Sequence, residues 1–217
     1  VDVGASVRKS DYHDRLPELQ GRLNEAYRAM RHAGRSAIVI FEGWDAAGKG
    51  GAIRRMIPAF EARHVQVHRV AAPTADEQTR HYLWRFWRKL PRSGEVAVFD
   101  RSWYGRVLVE RIEGFARPDE WRRAYAEIND FEHRLLEHGM IVVKFWLHIS
   151  PDEQEKRFEK RSKVSYKRWK LTDEDWRNRE RWGAYEVAVH EMVERTSSAN
   201  APWTLVPGND KRHARLS

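Results

Sequence analysis

The stretch Gly43-Trp44-Asp45-Ala46-Ala47-Gly48-Lys49-Gly50 decides how this chain is read. It fits the phosphate-loop pattern G-x-x-x-x-G-K-[ST] at every fixed position but the last, where a hydroxyl would hold a divalent cation. Gly50 has no side chain to offer. Asp45 instead sets a carboxylate among backbone N–H groups that point at phosphate, a charge that repels the ligand unless a cation lies between them. Together the two departures predict Mg²⁺-bridged phosphates, with Asp45 replacing the absent hydroxyl as metal ligand. Lys49 in this register reaches the transferring phosphates. As a mere surface lysine at a helix start it would oppose the helix dipole, so the phosphate reading is preferred.

The neighbouring segments supply the context that the motif needs. Ser36 to Phe41 is a short apolar run and the first buried strand, and a helix follows the loop from Gly48 to about Phe60. Upstream, Leu16, Leu19, Leu23, Ala26 and Met30 recur at helical spacing within Asp11 to His32, and Gly34 closes that helix. Pro17 falls in its first turns and predicts a later start. Downstream come a strand (His64 to Val70), a helix (Thr74 to Leu90) and an apolar strand (Glu95 to Phe99) that ends at Asp100. A helix over Glu120 to His138 is stopped by Gly139, and Met140 to Ile149 is the longest apolar strand. Pro151 to about Arg195 reads as charged helix with breaks near Val164 and Leu171, and Trp203 to Val206 is a last short strand. The repeated β-α order predicts an α/β fold with a parallel five-stranded sheet covered by helices on both faces. The basic tail Asn209 to Arg215 is expected to be ordered only in part.

Composition narrows the function classes. A chain of 217 residues with 41% hydrophobic content supports one well-buried domain. There is no cysteine, which excludes disulfides and thiolate metal sites and fits a reducing cytoplasm. Val1 to Lys9 lacks the apolar centre of a secretion signal, and no apolar run approaches the roughly 20 residues that span a bilayer. A net charge of +8 points to a polyanionic partner without choosing among nucleic acid, acidic membrane and phosphate polymer. Most of the ten tryptophans are expected to pack in the core or under a lid, Trp84 and Trp87 with Phe86 included. His64 and His68 share one side of an alternating segment, but a zinc site needs further partners, and it is rejected.

Two more groups of residues carry chemistry. Asp100, an acid that ends an apolar strand after a phosphate loop, stands where a second Mg²⁺ ligand is found. Arg101, Arg106 and Arg111 follow it, and guanidinium groups beside a metal-binding carboxylate clamp phosphoryl oxygens. For Arg111 a plain ion pair with Glu110 or Glu113 is equally acceptable. Between Lys156 and Lys170 there are eight Lys or Arg against Glu159 alone. Such unrelieved repulsion suits an anion, and Arg157, Lys160 and Arg161 would share one helix face, as in a lid that closes over phosphates.

At this point three separated motifs stand out: Gly43 to Gly51, Asp100-Arg-Ser-Trp-Tyr-Gly-Arg-Val-Leu-Val-Glu-Arg-Ile-Glu-Gly-Phe115 and Tyr166-Lys-Arg-Trp-Lys-Leu171. With Ala201-Pro-Trp-Thr204 and Asn209-Asp-Lys-Arg212 they resemble the polyphosphate kinase 2 family over nearly the whole chain. The resemblance implies a P-loop kinase fold with a basic helical lid over about 152–182. It also implies Mg²⁺-dependent phosphoryl transfer between polyphosphate and nucleotides. It places metal ligation on Asp45 and Asp100, and catalysis on these two with Lys49, Arg101 and Arg161. Phosphate binding falls to Gly43, Ala46, Ala47, Gly48, Lys49, Gly50 and Gly51, joined by Arg106, Arg157, Lys160 and Lys167. Gly50 is ordinary for that family. The segments Asp173 to Arg179 and Ala201 to Thr204 look closest to AMP-phosphorylating members, which are often tandem fusions, so a standalone enzyme and one half of a fusion both stay open. Phosphorylation of ADP or GDP is the nearest alternative. An ATP-dependent nucleoside monophosphate kinase of the thymidylate kinase sort follows. A non-catalytic nucleic-acid module would give Asp45 and Asp100 no purpose. The expected partners are inorganic polyphosphate and a nucleoside mono- or diphosphate, with neither nucleic acid nor membrane, in a cytoplasmic homo-oligomer.

Overall fold

Strand β1 (Ala37–Gly43) is buried along all but its last residue, which explains why it is a continuous apolar run and not an alternating one. In the computed structural model, which describes residues 1–165 and 173–217, it is the centre of a five-stranded sheet. The other strands are β2 (Val65–Arg69), β3 (Val96–Asp100), β4 (Ile141–His148) and β5 (Trp203–Pro207). Every pairing is parallel and the order is β2-β3-β1-β4-β5. The chain leaves β1 toward the β2 edge, returns through β3 and then crosses to β4. The order therefore reverses at β1, and in open parallel sheets the crevice outside the carboxyl ends at such a point is where ligands bind. Register sets what meets there: Phe41 pairs with Asp100, and Gly43 with Leu147.

Helix α1 (Lys9–His32) is tied to α2 (Lys49–Met56) by Gln20 Nε2, which donates to the Arg55 carbonyl, and to the turn after α2 by Asn24 Nδ2, which donates to the Ala59 carbonyl. Helix α1 begins eight residues before Pro17, not after it. Pro17 and His13 are both exposed, so the carbonyl that loses its partner to the proline ring faces water. The stretch expected as one helix over Thr74 to Leu90 is two short pieces, α3 (Ala75–Gln78) and α4 (Trp84–Trp87). Its first half carries a Thr74–Glu77 capping box but no buried side chain, while Leu83 and Phe86 anchor the second half in the core. Then come α5 (Val109–Ile112), α6 (Pro118–Glu137) and α7 (Pro151–Ser162). The long charged stretch continues as α8 (Asp173–Glu180) and α9 (Trp182–Thr196). The break expected near Leu171 and the binder expected at Lys167 lie outside the described residues. The basic tail is ordered against expectation: Asp210 Oδ1 accepts from the N–H groups of Arg212 and His213, and α10 (His213–Leu216) follows.

One feature of β4 departs from its apolar pattern. Lys144 is fully buried, and its ammonium donates to Glu132 Oε2 at 2.7 Å, to Tyr104 Oη at 3.0 Å and to the Thr196 carbonyl at 2.7 Å. Glu132 Oε1 accepts from Trp103 Nε1 and Tyr104 Oη. Burial pulls the lysine down and Glu132 opposes that; burial and Glu132 both push the Tyr104 hydroxyl up. The network pins the turn after Asp100 to α6, β4 and the end of α9. Among the described residues no helix is long and apolar enough to cross a membrane.

Candidate functional site

The glycine loop is bent by backbone that few side chains accept. Gly43 lies at φ 148°, and a Cβ there would stand 2.5 Å from the Leu147 carbonyl oxygen. Gly48 sits at φ 115°, while Ala46 takes the left-handed region at 62° despite its side chain. Lys49 is half-buried and folds back over the loop, donating to the carbonyls of Gly43 at 2.6 Å and Trp44 at 3.3 Å. Desolvation lowers its pKa, and the nearby Asp45 and Asp100 carboxylates are among the charges that oppose this. Gly50 leaves room: Asp100 Oδ2 lies 3.9 Å from where its Cβ would be.

The end of β3 turns sharply at Arg101, which adopts φ 66° while its N–H donates to the Phe41 carbonyl. Glu42, buried at the end of β1, accepts from Ser102 Oγ at 2.8 Å and so ties the two strand ends together. Burial pushes its carboxyl up, against the pull of Lys49. Through this turn Arg101 reaches Asp45, with Nη2 to Oδ1 at 3.1 Å. The other carboxylate oxygen of Asp45 accepts from Asn178 Nδ2 at 2.8 Å. The structure thus brings Asp45, Lys49, Asp100 and Arg101 together, as their spacing in sequence suggested.

Two of the expected phosphate binders are placed differently. Arg157 is buried with all its donors engaged: Nε on Glu153, Nη1 on the carbonyls of Ala46 and Ala47, and Nη2 on those of Gly208 and Asn209. It is a strut that joins the loop to the chain after β5. Arg106 turns to Glu110 at 3.2 Å and stacks over Tyr82. Arg111 takes the bland alternative in another form, bonded to Glu191 and Tyr125 and stacked on Trp121.

Two hollows flank the loop. One, of about 290 Å³, is lined by Ala46 to Gly48, Gly51 and five basic side chains: Arg157, Lys160, Arg161, Lys211 and Arg215. No described carboxylate lines it. Lys211 is lowered first by desolvation and then by Arg157, the nearest cation in effect, a crowding of like charge that an anion would relieve. The smaller hollow lies toward Glu42, Trp44, Asp45, Arg101, Asn178 and Tyr185. Sequence reasoning missed Lys211, Arg215, Asn178 and the stack of Trp44 on Trp182 at 3.7 Å. The Asx pair before the basic tail was a helix-start signal that could have found the first two.

The chain matches the Polyphosphate kinase 2 (PPK2) family over residues 6–217. It is 54% identical to a Polyphosphate:AMP phosphotransferase of Pseudomonas aeruginosa, over the whole of this chain and 44% of that protein. An ADP-polyphosphate phosphotransferase of the same organism is 38% identical, again over the whole chain and 71% of the relative. A crystal structure from Pseudomonas aeruginosa described as a polyphosphate kinase 2 superposes with a TM-score of 0.96 at 54% identity, covering all of this chain and 46% of that one. The chain spans less than half the length of the first curated relatives it matches.

Proposed function

Because this chain belongs to the polyphosphate kinase 2 family, we propose that it transfers a terminal phosphoryl group from inorganic polyphosphate to a nucleotide, with AMP as acceptor and ADP as product. The observation that carries this reading is the cationic hollow against the glycine loop: five basic side chains and no described carboxylate suit a dense chain of phosphates. We read residues 1–217 as one domain, with a lid over about 152–182.

The chain's own groups divide the work. Backbone N–H groups of Gly43, Ala46, Gly48, Lys49 and Gly50 cradle phosphate oxygens, and Lys49 exchanges the loop carbonyls for them. The N–H groups of Ala47 and Gly51, which were also expected to bind, donate instead to the Trp44 and Gly48 carbonyls. Arg101 and Arg161 spread stabilisation over the equatorial oxygens of the transferring group. Lys160, Lys211 and Arg215 hold phosphates farther along the donor, and Arg157 keeps the loop in shape. No general base is needed, since the attacking acceptor phosphate is already ionised. Among the described residues no cluster of three or more His, Cys, Asp or Glu could cage a metal. The two carboxylates near Lys49 suit Mg²⁺ instead, which is commonly held by one or two protein carboxylates plus water and phosphate oxygens. Bound by Asp45 and Asp100, it would neutralise charge on the donor and acceptor phosphates. The absence of cysteine supports a cytoplasmic setting. A homo-oligomer belongs to the same reading, and light scattering tests it.

The test is a product survey by ion-exchange chromatography with AMP, GMP, ADP and GDP, each with polyphosphate as sole donor and Mg²⁺. ADP should accumulate from AMP, and Asp45→Ala, Asp100→Ala and Lys49→Ala should each abolish it. Product that forms only with ATP as donor would overturn the proposal, as would full turnover in either aspartate variant.

A further inference from the structure

A chain of hydrogen bonds runs from helix α9 through α8 to the loop carboxylate. The Tyr185 hydroxyl donates to Asn178 Oδ1 at 3.0 Å, and Asn178 Nδ2 donates to Asp45 Oδ2 at 2.8 Å. An amide presents an acceptor at one end and donors at the other, so the hydroxyl on Oδ1 commits the NH₂ end to Asp45. On the far oxygen of the same carboxylate sits Arg101 Nη2, at 3.1 Å. Two donors on two oxygens fix the carboxylate plane, and each oxygen keeps a lone pair for another partner. That is how a ligating carboxylate is usually supported by its surroundings.

The elements that carry the chain are well fastened. Tyr185 is 8% exposed. Arg179 donates to the Pro151 carbonyl at 2.8 Å and to Glu155 at 2.9 Å, and Arg181 to the Ile112 carbonyl at 2.6 Å. Trp182, between Asn178 and Tyr185 in sequence, stacks on Trp44 of the loop at 3.7 Å. Asn178 and Tyr185 both line the smaller hollow with Asp45.

We infer that Asn178, held in one amide orientation by Tyr185, is a positioning residue that aims the Asp45 carboxylate at a bound divalent cation. The inference rests on the metal reading proposed above. Since Asn178 comes from α8, docking of that helix and orientation of the carboxylate are a single event. A neutral amide suits the task, because it adds no second positive charge beside the Arg101 guanidinium already on the carboxylate.

The test measures Mn²⁺ uptake in the presence of tripolyphosphate, by the electron paramagnetic resonance signal of the free ion. Asn178→Ala should weaken Mn²⁺ binding roughly tenfold, the low end of the range for supporting residues around a metal site. Tyr185→Phe, which acts only through Asn178, should weaken it by a smaller but measurable factor. The double variant should bind no more weakly than Asn178→Ala alone, since both act through one bond. A merely structural Tyr185 would lower the melting temperature and leave Mn²⁺ affinity where it was. Wild-type affinity in Tyr185→Phe, or additive losses in the double variant, overturns the inference alone. No uptake by the unmodified protein overturns the metal reading and this inference with it.

Discussion

Arg157→Lys separates a strut from a substrate ligand. The guanidinium spans two backbone segments at once, the carbonyls of Ala46 and Ala47 on one side and of Gly208 and Asn209 on the other, at 2.6 to 2.9 Å. A lysine keeps the charge but carries its donors on one atom and cannot bridge both pairs. At least one pair then loses its partner in a buried setting, at a cost of about 2–4 kcal/mol for two carbonyls. In a chain of this size each kcal/mol moves the melting temperature by roughly 2–4 °C, so the variant should melt roughly 5–15 °C lower. Differential scanning calorimetry measures the fall, and steady-state kinetics with the proposed donor, polyphosphate, gives KM alongside it. Both kcat and KM should suffer, because the loop itself is released. A melting point unchanged within about 2 °C, together with a KM raised about tenfold, would show Arg157 acting on substrate, and the strut argument would be wrong.

Lys144→Met should destabilise the fold by about 3–5 kcal/mol in urea unfolding, because Glu132 is left buried without its counter-charge; adding Glu132→Leu should restore much of the loss. Gly43→Ala puts a Cβ within 2.5 Å of the Leu147 carbonyl at a φ of 148°, so it should displace the loop from β4 and lower kcat/KM by roughly a hundredfold or more. His148 Nδ1 accepts from the indole N–H groups of both Trp44 and Trp146 at 3.4 Å, and burial lowers its pKa from the ordinary 6.5. The unfolded chain therefore binds that proton more readily, and stability should fall as the pH drops below 6.5. His148→Gln, which cannot titrate, should flatten the slope of unfolding free energy between about pH 5 and pH 7, and an unchanged slope would refute the assignment.

The sheet was legible because its signals are local. An apolar run into a glycine loop, and an apolar run into Asp100, need only neighbouring residues to be read. Asp45, Lys49, Asp100 and Arg101 followed from the same local patterns. What lay beyond reach depends on direction in space. Helical spacing put Arg157, Lys160 and Arg161 on one face, and all three line one hollow, yet spacing says nothing about which guanidinium points down into the loop carbonyls. Lys144 is one polar letter in the longest apolar strand, and its partner Glu132 sits on the preceding helix, where it looks like any surface acid. Asn178 is a small amide in a highly charged segment, and nothing adjacent to it marks Asp45 as its acceptor.

The bonds that shape the glycine loop have a consequence for how the molecule forms. Arg157 meets the Ala46 carbonyl across 111 residues, and Asn178 meets Asp45 across 133. Contacts so distant along the chain are slow to close, since the entropy of the intervening segment is lost before they contribute. A nascent polypeptide still short of Gly208 would hold the motif as letters without its curvature. On the proposed reading, affinity for polyanions at this loop should therefore emerge only once Gly208 has been made and β4, α7 and the segment beyond β5 have settled against one another.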